Sequence, residues 1–279
     1  MGNAMTYQAV LLGAAAMLAA CDNGRAATEP GRQLNGETDP SAPAYQRTLE
    51  TRNDVEIVRA TGDITDGVAR YRALFSKLNP NVAGEQDTSG RREINWDGVP
   101  ATFTNNDLFP GNFFNVNSPR GALFTTPGSA FRISNNGYTD VNAAYAGEFN
   151  TFSPPKLFVA RGSTIIDVTF AVAGSGTPAR VNGFGSVFAD VGRAHSTTIE
   201  YFDAAGNSLL KIAAPRASDE KGLSFLGAKF TSPIVARVRI TAGDTPIDAT
   251  ATDNVKGAGQ KHDIVATDDF IYGEPRAIR

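Results

Sequence analysis

The sequence predicts a mainly β protein, a jelly-roll β-sandwich with one N-terminal amphipathic helix packed on it. Three observations predict this class. After residue 93, apolar and polar residues alternate in short runs. Turn formers punctuate those runs, with 28 Gly and 15 Pro in 279 residues. Only one stretch of the chain has helical spacing. Short strands at regular intervals, without helices between them, favour a sandwich or jelly roll over a parallel sheet.

Residues 1–20 contain no Lys, Arg, Asp or Glu, and the apolar run 9–20 ends in Leu18-Ala19-Ala20-Cys21. A bilayer span needs roughly 20 apolar residues, so this run reads as a secretory signal. Its last four residues resemble the bacterial lipobox. That resemblance implies acylation of the Cys21 thiol and cleavage before it. The membrane is then a partner through the lipid anchor, and the body lies in the cell envelope outside the cytoplasm, with inner and outer membrane both open. A plain signal peptide with an incidental cysteine is the alternative. Residues 21–44 hold almost no large apolar side chain and read as the anchor plus a flexible tether.

Residues 45–92 read as a helical N-terminal extension. Ile64, Val68, Tyr71, Phe75 and Leu78 recur at helical spacing and share one stripe. Asp63 or Thr65 caps the start, Asn79-Pro80 stops the helix, and a polar loop runs to Arg92. Residues 93–279 read as the sandwich. Ile166, Val168, Phe170 and Val172 alternate with Asp167, Thr169 and Ala171, and 234–240 alternates in the same way. Further strands read at 121–125, 130–134, 184–191, 196–202, 208–214, 222–230 and 264–272. Asp203 to Asn207 has the chemistry of a hairpin turn.

The formal charge of −3 offers no broad basic field, which argues against nucleic acid as a partner. One cysteine rules out an internal disulfide and a Cys-cluster metal site. Two histidines, His195 and His262, are too few for the usual zinc catalysis. No Gly-x-Ser-x-Gly elbow occurs, and His195 and Ser196 are neighbours that a strand sends to opposite faces.

Seven segments in order carry a family resemblance: residues 90–100 (GRREINWDGVP), 117–121 (NSPRG), 181–185 (VNGFG), 198–203 (TIEYFD), 223–227 (LSFLG), 237–241 (RVRIT) and 268–274 (DDFIYGE). Together they resemble an uncharacterised family of secreted or surface bacterial proteins, some with C-terminal sorting tags. The resemblance spans roughly residues 64–275. It implies a galactose-binding-like jelly-roll domain, with no activity and no catalytic residues to carry over.

Three chemistries remain. Sugar binding uses an aromatic platform beside polar groups, which Trp96 between Asn95 and Asp97 offers; the competing role for Trp96 is core, closing the helix against the sandwich. A structural Ca²⁺ needs six to eight oxygens. Asp263, Asp268 and Asp269 form the best acidic group, with the loop from Asp244 to Asn254 able to add ligands. Strand alternation sends Asp268 and Asp269 to opposite faces, and salt bridges or turns are the competing role for all three. Glycoside or lyase chemistry needs two carboxylates, available among Glu93, Asp97, Glu148, Asp190, Glu200, Asp268 and Asp269. The leading expectation is a non-catalytic, lipid-anchored binding or structural module with a glycan as the candidate ligand. An envelope glycosidase and a structural matrix or adhesion protein are the alternatives. Nothing in the sequence indicates an oligomeric state.

Overall fold

The computed structural model describes residues 33–34, 48–52, 54–217, 221–254 and 262–278. The leader and the expected lipidation site Cys21 lie outside the described residues. Strands β1 (Gln33–Leu34), β2 (Thr48–Arg52) and β3 (Val55–Thr61) precede helix α1 (Thr65–Ala73) and β4 (Arg91–Ile94). A short helix α2 (Phe113–Val116) leads to β5 (Ala122–Thr125), β6 (Ala130–Ser134), β7 (Leu157–Arg161), β8 (Ile165–Phe170) and β9 (Ala179–Arg180). Then come β10 (Gly183–Ala189), β11 (Thr198–Phe202), β12 (Ser208–Ala213), β13 (Leu223–Phe230), β14 (Arg237–Thr241), β15 (Ala266–Gly273) and β16 (Arg276–Ala277).

Two sheets form a sandwich-like arrangement, as the alternating strands predict. One runs β1-β12-β11-β14-β8-β5, and the other runs β2-β3-β13-β10-β15-β7-β6 with β4 also on β15. Pairing is antiparallel except for β1 on β12. Ile166, Val168, Ile199, Val238 and Ile240 of the first sheet share one core with Phe184, Phe188, Leu226, Phe270 and Tyr272 of the second. Tyr201 of β11 reaches across it. Its hydroxyl donates to the Phe184 carbonyl at 2.8 Å and accepts from the Ala228 amide at 3.1 Å. Phe184 and Ala228 face each other across β10 and β13, so the phenol is wedged into that ladder.

The second sheet is covered on its outer face too. Ile64, Val68, Tyr71 and Phe75 pack on Val58, Val187, Phe225 and Ile271. Farther along, Tyr138, Tyr145, Phe149 and Ile247 pack on Val159, Ala189 and Ala266. Every residue of β10 and of β15 is therefore buried, and neither strand alternates.

Two boundaries differ from expectation. The helix ends at Ala73 rather than near 78, because the next residues are drawn towards β4: Asn79 N donates to Arg91 O at 2.9 Å and Arg91 N to Lys77 O at 2.8 Å. Phe75 stays buried just past the helix, while Leu78 is 53% exposed. The sandwich also does not begin at 93. β3 pairs with β13 along its whole length, so residues expected in a separate extension belong to the sheet. Ile57 and Val58 are both buried because both faces are covered, which erases the alternation that marks a strand.

Candidate functional site: a carboxylate-lined cleft

The site begins at an irregularity in β15. Ser186 pairs with Phe270 and Phe188 with Thr267, so two steps along β10 match three along β15. The extra residue is a β-bulge at Asp268–Asp269, facing Val187, and a bulge re-aims side chains that alternation would separate. Both carboxyls consequently meet Ser153, which corrects the expectation that they point to opposite faces. Ser153 Oγ lies 2.6 Å from Asp269 Oδ1 and 3.2 Å from Asp268 Oδ1. Asp268 Oδ2 accepts from the amides of Phe152 at 2.6 Å and Ser153 at 3.2 Å.

Burial dominates the electrostatics of this pair. It pushes the Asp268 carboxyl up to about 8, with the charge of Asp269 adding to the rise and the amide bonds opposing it. Asp269 is raised as well, again first by burial, with Arg72 pulling the other way.

Arg72 is held in place by α1, one residue after the buried Tyr71. Its Nη2 reaches Asp269 Oδ2 at 3.3 Å while its fork grips Glu93, with Nε at 3.0 Å from Oε1 and Nη2 at 2.8 Å from Oε2. Arg91 Nε donates to the same carboxylate at 2.6 Å. Arg120 closes another side: its Nε donates to the Glu93 carbonyl at 2.9 Å and its guanidinium sits 5.0 Å from the Phe114 ring centre. Arg72, Glu93, Arg120, Ser153 and Asp269 line a cleft of about 380 Å³ that also presents Asn81, Asn95, Leu78 and Phe152.

Of the expected sugar-binding trio, only Asn95 reaches this cleft. Trp96 is 1% exposed, which corrects its candidacy as a sugar platform and bears out its role in the core. Its ring stacks on Phe158 at 3.9 Å and its Nε1 donates to the Asp268 carbonyl at 2.7 Å. It fills the space between the sheets, away from the cluster under α1, which corrects the expectation that it closes the helix against the sandwich. Asp97 accepts from the Lys156 amide at 3.3 Å, and partial burial raises its carboxyl above the usual range.

The expected acidic group also divides. Asp263 turns away from Asp268 and Asp269: its Oδ1 accepts from the Gly192 amide at 2.8 Å and its Oδ2 from the Ser196 hydroxyl. Burial lifts it to about 6. Among the described residues, the carboxylates that converge as a trio are Glu148, Asp190 and Asp253, the last from the loop expected to add ligands. Arg72, Arg120 and Ser153 were not candidates in the sequence. Arg72 lies on the flank of the helical stripe, Arg120 in a loop, and Ser153 gains its place only through the bulge.

Neither a family model nor a curated protein matches the chain. Among solved structures, the enzymatically active domain of bacteriophage CBA120 tailspike protein 4 shares 14% sequence identity at a TM-score of 0.25. The likeness covers 63% of this chain, which spans 22% of that one. A likeness this slight carries no weight for fold or activity.

Proposed function

We propose that this chain is a lipid-anchored, extracytoplasmic β-sandwich that binds a glycan without cleaving it, in the cleft between Arg72, Arg120 and Asp269. One observation carries the reading: the carboxylates of the cleft are already committed to protein donors. Glu93 is gripped by Arg72 and Arg91, and Asp269 by Ser153 and Arg72. Carboxylates so engaged serve as fixed acceptors, whereas a nucleophile or general acid must be free to meet substrate. The remaining lining suits a sugar, with guanidinium and amide donors for hydroxyls beside the half-buried ring of Phe152.

The purified protein is expected to retain a subset of sugars on a glycan array. Replacing the exposed amides, Asn81→Ala with Asn95→Ala, is expected to weaken that binding about tenfold, the scale of one lost hydrogen bond. Retention of no glycan, or unchanged affinity in the double variant, overturns this placement of the site. Mass spectrometry of the N-terminal peptide tests the anchor, and an unmodified Cys21 thiol would refute it.

A second reading rests on the paired carboxyls of Asp268 and Asp269, which share Ser153 at the edge of the cleft and of which burial pushes Asp268 up to about 8. In that reading Asp268 and Asp269 assist glycoside cleavage. Release of reducing ends from a bound glycan, abolished by Asp269→Asn, would decide for it.

A further inference from the structure

Away from the cleft, on the outer face of the second sheet, three segments meet over the cluster of Tyr138, Tyr145 and Phe149. Glu148 follows a 3₁₀ turn at Ala143–Tyr145, Asp190 comes directly after β10, and Asp253 lies in the loop that precedes β15. One carboxylate oxygen from each lies within 4.8 Å of the others. Oxygens bound to one Ca²⁺ at about 2.3–2.6 Å lie at most about 5 Å apart, so this spacing fits a shared cation.

Asp190 supplies the independent observation. The residue is 5% exposed, and its Oδ1 accepts from the Lys221 amide at 3.1 Å. Its Oδ2 is fully buried and has no hydrogen-bond partner. A buried carboxylate oxygen without an N–H or O–H donor is costly, and the neighbouring Glu148 carboxylate can relieve it only by sharing a proton, a place that a cation can take instead. A cation is the partner that such an oxygen lacks.

We propose that Glu148, Asp190 and Asp253 bind a hard divalent cation, Ca²⁺. Three carboxylates supply part of the required oxygen shell, and main-chain carbonyls and water complete it. The ion joins three segments distant in sequence. Two of them already touch, since the Tyr145 hydroxyl lies 3.0 Å from the Asp248 carbonyl and 2.9 Å from that of Ala251, and Asn142 Nδ2 donates to Ala251 O at 2.9 Å. Ca²⁺ adds β10 to that contact and fixes the 244–254 loop against the sheet.

Thermal melting of the purified full chain in chelator and in excess Ca²⁺ tests the site. Calcium a hundredfold above its dissociation constant is expected to raise Tm by about 5 °C or more. Asp190→Asn is expected to abolish that shift and, in chelator, to melt at or above the unsubstituted protein because it removes a buried acidic group crowded against Glu148 and Asp253. Glu148→Gln is a second variant, expected to reduce the shift. The proposal is overturned if the unsubstituted protein shows no calcium shift, or if Asp190→Asn responds to calcium as the unsubstituted protein does.

Discussion

A carboxyl that holds its proton to about 8 reverses the usual pH dependence of stability. Asp268 ionises near 4 in an unfolded chain and near 8 in the folded one. Because its folded value is raised, its contribution is fully present below about 4 and is lost as pH climbs to about 8. Urea midpoints measured across that window are expected to fall with rising pH, and Asp268→Asn is expected to flatten the slope; an unchanged slope would refute the assignment. Trp96 can be tested at the same scale. Trp96→Ala is expected to cost about 3–5 kcal/mol of unfolding free energy, as for other buried aromatics. A glycan platform would instead lose binding while keeping its stability. The core role of Trp96 was legible because large aromatics usually fill interiors. The meeting of Asp268 with Asp269 was not legible, since it needs one inserted residue that no side-chain pattern announces.

At the level of elements, the fit of α1 on the second sheet depends on two missing side chains. A Cβ on Gly227 would lie 2.8 Å from the Tyr71 ring, and one on Gly185 would lie 2.9 Å from it. The glycines of β10 and β13 let the ring lie on bare backbone, where its hydroxyl donates to the Ala228 carbonyl at 3.0 Å. Gly227→Ala is expected to destabilise by about 1–3 kcal/mol through overpacking, read as a lower urea midpoint. If stability were unchanged, the helix would have to be free to lift. Four of the five stripe residues were placed correctly by spacing alone, because Ile64, Val68, Tyr71 and Phe75 are all buried. Leu78 was not, because a main-chain pairing with Arg91 ended the helix, and hydrophobic spacing carries no record of such a pairing. β8 and β14 could be read because alternating residues face the core, whereas β3 could not.

Across the whole molecule, a fully buried ion pair fastens β4 to the residue that follows β15, and the loop before β4 joins it there. Arg92 Nε lies 2.6 Å from Glu274 Oε2 and Nη2 2.8 Å from Oε1, while Asn79 and the Gln86 amide also donate to that carboxylate. Removing one partner leaves a charge stranded in the interior, so Arg92→Met is expected to cost about 3–5 kcal/mol. Adding Glu274→Met is expected to recover much of that loss. A double variant no more stable than the single one would count against this account. The pair also explains why a domain boundary near residue 93 does not exist: the loop ahead of it is built into the same body. Finally, the hydroxyl of Tyr201 has a mechanical consequence. Two greasy layers alone could slip past each other under load, but this phenol is threaded between an amide and a carbonyl of the facing layer. Any slip would strand both in a dry place. The layers must yield together, so a tug transmitted from one edge is borne by the full thickness of the body.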